Sequence, residues 1–377
     1  MRVAMFCNYP VNPEVIPGGV TAVAHYLTKG LGRIPEVDLH IICSQGDVPA
    51  DKVESRDGAT IHFLRDPERF TQLTGWRAAR RRIAGVVTEI QPDLAHAQGL
   101  GLPTAAGLDT RLPFVLSLHG ILWKEATMHH PSPWKRMRGM LRARAALSQI
   151  RRTRNVFITS GYAGRALPPG GHYRRFVVNN PAGDAFFSIE NRPGPPRILV
   201  VGGLRHRKDP MTTVRIAERV LGDVPDATLR LLGPPSNTPL DEEVRRFVED
   251  RGLSDRVQLL GLVSDEVLRE EYRHATLLLL PSIEETAPVA LSETHAVGIP
   301  VVGSDAGGIP DMVREGETGF IRPVGDVPAL AECVVRLLTD GDLRARMAAR
   351  AKETGVEEFS TDAIARKTVD AYREILT

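Results

Sequence analysis

The chain has 377 residues, enough for two domains, because one hydrophobic core rarely grows beyond ~250–300 residues. Its 42% apolar and 25% charged residues are ordinary for a globular protein, and the longest apolar runs, Leu277 to Leu280 and Ile198 to Val201, exclude a membrane span of ~20 residues. The net charge of +2 hides an uneven distribution: residues 1–186 carry 24 Lys and Arg against 14 Asp and Glu, and the remainder 24 against 32.

Met1 to Cys7 run straight into a strand, Arg2–Cys7, without a charged leader, long apolar core or cleavage site, so a cytoplasmic protein is expected. Val20, Val23, Leu27 and Leu31 mark the next element as a helix with an apolar stripe. The β-branched runs Leu39–Cys43, Leu94–Ala97, Phe114–Leu118, Val156–Thr159 and Phe176–Asn179 read as buried strands. Cys7, Cys43 and Cys333 sit in apolar segments with neither paired nor metal-ligand spacing and read as reduced core thiols.

The basic excess is clustered. Trp76-Arg77 and Arg80-Arg81-Arg82 form one group. Between Glu125 and Asp184 no acidic residue appears, while Lys135, Arg136, Arg138, Arg142, Arg144, Arg151, Arg152 and Arg154 do. Trp134, Met137, Leu141 and Ala145 recur there at helical spacing, so the segment 134–154 reads as a basic helix. Two readings stay open: an amphipathic helix on an anionic membrane surface or acceptor, and a solvated face of an Arg-rich protein.

Glu190-Asn191-Arg192-Pro193-Gly194-Pro195-Pro196 reads as a linker. Strands then resume at Arg197–Gly202, Thr228–Leu232, Val257–Leu260, Thr276–Leu280 and Pro300–Gly303, with helical segments between them. Thr361 to Leu376 is a helix with Ser360 as its N-cap. Alternating strands and helices imply parallel, doubly wound sheets. The expected fold is α/β: two Rossmann-like domains facing across a cleft, 1–186 binding the acceptor and 187–360 the donor, with 361–377 crossing back to the first. Ligands of open α/β sheets bind beyond the carboxyl ends of the strands, so both sites would open into that cleft.

The most informative stretch is Pro281-Ser282-Ile283-Glu284-Glu285-Thr286-Ala287-Pro288-Val289-Ala290-Leu291-Ser292-Glu293. A strand ends, a short loop follows, and a helix opens near Pro288, which suits the first helical position. The amides of Val289 and Ala290 are then free to face an anion such as a diphosphate, helped by the helix dipole. Glu293 is placed to accept hydrogen bonds from ribose hydroxyls and Glu285 from a sugar, both carboxylates lying near the positive helix end.

Two Glu separated by seven residues, after a strand ending in Pro-Ser, resemble the signature of the retaining GT-B glycosyltransferases of family 4. The resemblance continues through His295 to Asp311 and Glu315 to Phe320. Upstream, Val200-Val201-Gly202-Gly203-Leu204-Arg205-His206-Arg207-Lys208-Asp209 resembles the family's phosphate-binding loop, and Pro92 to Gly99 and Gly18-Gly19-Val20 its N-terminal landmarks. Nearly the whole chain is covered.

The resemblance implies the following roles. Glu285 contacts the donor sugar and Glu293 the ribose. Lys208, with Arg205 or Arg207, neutralises the diphosphate without a metal. Gly18 and Gly19 let backbone approach the donor phosphate or acceptor, and His119, at a strand end, matches the family's histidine near the transferring sugar. Departures are Gly203, where members often carry Arg, and Ala287-Pro288 in place of an aromatic residue and Gly. Which of Arg205, Arg207 and Lys208 takes over the cation's work stays open.

The expected activity is transfer of a hexose-type sugar from a UDP- or GDP-sugar to a hydroxyl acceptor, with retention implied by the resemblance alone. No cofactor, metal or nucleic-acid partner is expected. The acceptor is a glycan, a lipid-linked sugar or a small molecule; under the first of the two readings of the basic helix, that helix rests on the inner face of the plasma membrane. The rivals are a nucleotide-sugar epimerase on the same architecture and a non-catalytic nucleotide-sugar-binding subunit. A nicotinamide-dependent dehydrogenase is disfavoured because neither half carries G-x-G-x-x-G after its opening strand.

Overall fold

The computed structural model describes residues 1–12, 16, 18–66, 75–126 and 133–377, which divide into two compact units, 1–181 with 361–377 and 182–360.

The first unit is an eight-stranded sheet of β1 (Arg2–Phe6), β2 (Asp38–Gln45), β3 (Lys52–Arg56), β4 (Ala59–Arg65), β5 (Leu94–Gln98), β6 (Phe114–Leu118), β7 (Asn155–Ile158) and β8 (Arg174–Val177). The order is β3-β4-β2-β1-β5-β6-β7-β8, parallel except where β3 runs against β4. Both faces of its centre are dry, which is why the strands read as continuous apolar runs. Val3 and Met5 pack with Leu27 and Leu31 of the helix Gly19–Leu31 and with Ile364, Val369 and Tyr372 of the helix Thr361–Leu376. Ala4 and Phe6, pointing the other way, meet Ile83 and Ala106 of two further helices, Arg77–Ile90 and Leu102–Asp109. The β3–β4 hairpin is absent from the sequence reading. Asp57 and Gly58 take φ of 56° and 75°, as the two central residues of a tight hairpin turn require.

The second unit is a six-stranded, all-parallel sheet of β9 (Arg197–Val201), β10 (Thr228–Leu232), β11 (Val257–Gly261), β12 (Leu277–Leu280), β13 (Val301–Ser304) and β14 (Gly319–Arg322), in the order β11-β10-β9-β12-β13-β14. Its core joins Ile198, Leu229 and Leu277 to Val214, Val220, Leu330 and Leu337 of flanking helices. Cys7, Cys43 and Cys333 are free and buried.

Two expectations about organisation are corrected. The first boundary falls at 181/182, not 186/187, because Phe186 stacks edge-on against Tyr272 at 5.3 Å and Lys352 Nζ donates to the Phe187 carbonyl, 2.8 Å. Residues 190–196 are not a free linker. Asn191 Nδ2 donates to the carbonyls of Tyr272 and Ala275 (3.1 and 2.9 Å), satisfying the end of the helix Asp265–His274 and tying the segment to the second unit.

Candidate active site

In the second unit the strand order departs in opposite directions from β9 and β12, which lie side by side. That is the switch point of a doubly wound sheet, where diverging loops leave room for a ligand beyond the strand ends. The loops after β9 and β12 carry the residues singled out from sequence.

After β9 the backbone turns sharply. The amides of Gly202 and Gly203 both donate to the Leu232 carbonyl at 2.9 Å, and Gly203 has φ +72°, with a Cβ there falling 2.2 Å from the Pro234 carbonyl oxygen. Only glycine fits, so the cation expected at this position in relatives has no room for its side chain here. One short turn, His206–Lys208, precedes Asp209, whose carboxylate accepts from the Thr212 amide (3.2 Å) and caps the helix Pro210–Asp223.

That turn aims two cations at Glu285. Lys208 Nζ lies 2.5 Å from Glu285 Oε1, Arg207 Nη1 donates to Oε2 at 2.9 Å, and Ser282 Oγ donates to Oε1 at 3.2 Å. Burial alone would raise the Glu285 pKa, but the Lys208 and Arg207 charges outweigh it and hold the carboxyl below its ordinary value. Burial depresses the Lys208 pKa against the opposing pull of Glu285. The loop backbone is pinned from three sides: Ile283 N donates to the Arg207 carbonyl, Gly308 N to the Glu285 carbonyl (both 2.8 Å), and Ser304 Oγ to the Ser282 carbonyl. Arg205, by contrast, is exposed and enters no ion pair among the described residues.

The helix opens at Val289 and runs to Val297; Pro288 is its N-cap, in extended backbone, with its carbonyl accepting from Leu291 N. This corrects the sequence reading, which places Pro288 at the first helical position. Proline's fixed φ suits either place, and here its ψ of 124° leaves it outside the helix. The amides of Val289 and Ala290 are the first two of the helix, which have no intrahelical acceptor. Glu293, buried one turn in, accepts from Tyr272 Oη at 2.9 Å. Tyr272 was invisible to sequence reasoning, because a partner 21 residues away on another helix leaves no local pattern.

The remaining expected residues belong to the first unit. Gly18, with φ 101°, is the N-cap of the helix that Gly19 begins. His119 follows β6; its Nε2 lies 2.6 Å from Gln98 Oε1, and burial pushes its pKa down to about 4, against an upward pull from Asn180. The helix Pro133–Arg152 turns Ala143, Ala146 and Ile150 inward and leaves Trp134, Met137, Met140 and Leu141 exposed; the Lys135 side chain lies outside the described residues. Among the described residues no helix is long and apolar enough to cross a membrane.

Two family models match the chain: one described as Glycosyltransferase Family 4 over residues 17–185 and one described as Glycosyl transferases group 1 over 183–354. Similar curated proteins include the N-acetyl-alpha-D-glucosaminyl L-malate synthase of Bacillus anthracis, 30% identical over 181 residues, 48% of this chain and 46% of that protein. The D-inositol 3-phosphate glycosyltransferase of Nocardia farcinica is 32% identical over 189 residues, 49% and 42% of the two chains. The aligned segments thus span less than half of each relative's length. Among solved structures, sucrose-phosphate synthase from Thermosynechococcus elongatus superposes with a TM-score of 0.79 at 20% identity, covering 99% of this chain and 98% of that one. Anabaena HepE, solved with UDP and glucose, gives 0.74 at 17%, covering 98% and 99%. Both share the two-domain GT-B fold.

Proposed function

The chain belongs to the family 4, group 1 glycosyltransferases, and we propose that it moves a hexose-type sugar from a UDP- or GDP-sugar to a hydroxyl acceptor, with retention and without a metal ion. The observation that carries this reading is the buried Glu285 clasped by Lys208 and Arg207 beside a helix start. A departing nucleoside diphosphate gains negative charge, and fixed cations with helix-terminal amides stabilise that charge as it develops.

In this reading the diphosphate sits on the amides of Val289 and Ala290 and draws Lys208, Arg207 and the outward Arg205 toward itself. Glu285, released from part of its clasp, accepts hydrogen bonds from the sugar hydroxyls. Glu293, held by Tyr272, accepts from the ribose. The diphosphate serves as base for front-face attack by the acceptor hydroxyl. HepE, crystallised with UDP and glucose, supports a UDP-sugar donor.

The exposed apolar row of the helix Pro133–Arg152 supports an acceptor presented at an anionic membrane on the cytoplasmic face, as in envelope polysaccharide assembly. Trp134, Met137 and Leu141 lie opposite the buried Ala143, Ala146 and Ile150 and are flanked by Arg138, Arg142, Arg144 and Arg151.

Calorimetric titration with UDP, GDP, ADP and their sugar conjugates, in the presence of a chelator, tests the donor reading. Binding of one nucleoside diphosphate undiminished by chelator is expected. Absence of binding by all of them overturns it.

A further inference from the structure

The helix Val289–Val297 is buried from Ala290 to its end. Its start carries the amides of Val289 and Ala290 and the Glu293 carboxylate. His295 lies two residues further on, about 200° round the helix from Glu293, and is fully buried. Its Nδ1 is 2.7 Å from the Leu291 carbonyl oxygen. A carbonyl only accepts, so Nδ1 carries the proton. The neutral ring is left with a bare Nε2, which is buried and has no hydrogen-bond partner among the described residues.

The ring rests on a rare piece of backbone. Phe359 packs against it at 5.5 Å between centroids and closes a five-residue π-helical turn, Gly355–Phe359, a wide turn often found at functional sites. The approach is close: a Cβ on Gly355 would fall 2.5 Å from the His295 carbonyl oxygen. Just before the turn, Lys352 Nζ donates to the carbonyls of Ala296 and Phe187 at 2.5 and 2.8 Å and holds the negative end of the helix.

The charges around the ring are already engaged. Glu358, in the π-helical turn, pairs with Arg314 at 2.6 Å. Burial, the largest influence, holds the His295 pKa below its ordinary 6.5; the Leu291 bond and Glu358 pull it up, and Arg314 pulls it down. On the other elements packed against the helix, Lys352 serves two carbonyls, Glu271 pairs with Arg197 and Arg230, Asp184 opens its own short helix, and Glu357 is exposed. A proton arriving on Nε2 meets no free acceptor, so the packing has to open toward Glu358 or water to accommodate it.

We propose that His295 is a positioning residue whose neutral ring seats the back of this helix on the π-helical turn. The seat keeps Val289, Ala290 and Glu293 in place for a nucleoside diphosphate, and a proton on Nε2 releases it. That the ligand is a nucleoside diphosphate rests on the glycosyltransferase reading; the seating does not. Binding then favours the neutral ring. Affinity is complete above pH 6.5 and falls as pH drops through the lower value of the resting protein.

Titration calorimetry with UDP, GDP and ADP from pH 7.5 to 5, on wild type and His295→Leu, tests the proposal. Leucine fills the same space and takes up no proton, and the ligand's own titration is common to both proteins. Wild type is expected to lose about tenfold more affinity than His295→Leu over this range, the effect of one pKa unit between free and bound protein. Parallel curves overturn the proposal. His295→Ala, which empties the seat, is expected to bind more weakly than His295→Leu at pH 7.5, and equal binding overturns it as well. If neither variant folds, nitrogen-15 spectra of the wild type decide: bound nucleotide is expected to lower the pH at which His295 titrates, and an unmoved or raised titration overturns the proposal. Wild type that binds no nucleotide at any pH fails the donor reading instead. Amide exchange over 289–297 then judges the seating by itself: faster exchange at pH 5 in wild type than in His295→Leu upholds it, and equal exchange overturns it.

Discussion

Lys208 Nζ and Glu285 Oε1 lie 2.5 Å apart at the carboxyl ends of adjacent strands, and Glu285 is 3% exposed. A carboxylate so enclosed is stable only while its cations stay in place. Glu285→Gln keeps the shape and removes the charge, so Lys208 is left buried and uncompensated. The expected cost is about 2 kcal/mol or more, read from denaturant unfolding. Turnover is expected to fall by at least 100-fold, while nucleoside diphosphate affinity holds or rises because the freed cations face the phosphates. Weakened affinity with intact turnover would contradict the assigned role.

The same pair sets a pH dependence. The folded pKa of Glu285 lies below its ordinary value near 4.5, so the unfolded chain binds the proton first. The stabilisation is complete above pH 4.5 and is lost as pH falls through the lower folded value. Wild-type Tm is therefore expected to drop more steeply than that of Glu285→Gln on acidification below pH 4.5, as followed by calorimetry. Parallel curves would place the acid sensitivity elsewhere.

Tyr272 holds Glu293 through one hydrogen bond of 2.9 Å and packs its ring on Phe186. Tyr272→Phe keeps the packing and removes the bond. The expected outcome is a stability loss of ~1 kcal/mol with nucleoside diphosphate affinity reduced by about three- to tenfold, measured by titration calorimetry. Glu293→Ala is expected to lose more affinity. Unchanged binding in both variants would remove Glu293 from the ribose.

What the sequence made legible follows from range of interaction. The central strands announce themselves because both faces are buried, and Ile198 to Val201 or Leu277 to Leu280 leave little choice of element. The β3–β4 hairpin escaped because β3, Lys-Val-Glu-Ser-Arg, is half exposed at an edge and lacks an apolar run, although Asp57-Gly58 carried the turn signal. Residues 190–196 misled because their Pro and Gly content suggests freedom, whereas Asn191 spends its amide on carbonyls more than 80 residues away. The resemblance named Glu285, Glu293 and Lys208. That Arg207 joins the clasp and Arg205 does not is set by one short turn and by its approach to a loop 78 residues on, which no spacing encodes.

Gly307 shows how tightly that loop is shaped. Its φ is +55°, and a Cβ would fall 1.9 Å from the Glu285 carbonyl oxygen. Gly307→Ala therefore has to displace the loop that carries Glu285, with an expected loss of more than about 3 kcal/mol and abolished turnover. Gly316, at φ +75° with open space around its Cβ position, is the control. Gly316→Ala meets only the left-handed backbone penalty of ~1–2 kcal/mol and is expected to keep full activity. Equal thermal shifts in the two variants would contradict the close approach.

The exposed row Trp134, Met137 and Leu141 makes a prediction of a different kind, because apolar side chains grouped on one face and rimmed by charge are what an interaction surface presents. Arginines bordering an apolar row draw a helix to anionic headgroups, at about 1 kcal/mol for each cation near the surface. Reversing Arg138, Arg142, Arg144 and Arg151 to Glu forfeits at least ~4 kcal/mol, roughly a thousandfold in vesicle affinity. Cosedimentation with vesicles of anionic and of zwitterionic lipid measures it. Wild type is expected on anionic vesicles alone and to leave them as salt rises, since screening shortens the reach of exposed charges. Trp134→Ala is expected to weaken the binding without changing its salt dependence, and nucleoside diphosphate affinity is expected to be the same in all three proteins. Wild type that ignores anionic vesicles, or a fourfold variant that still binds them, would assign these arginines to plain solvation.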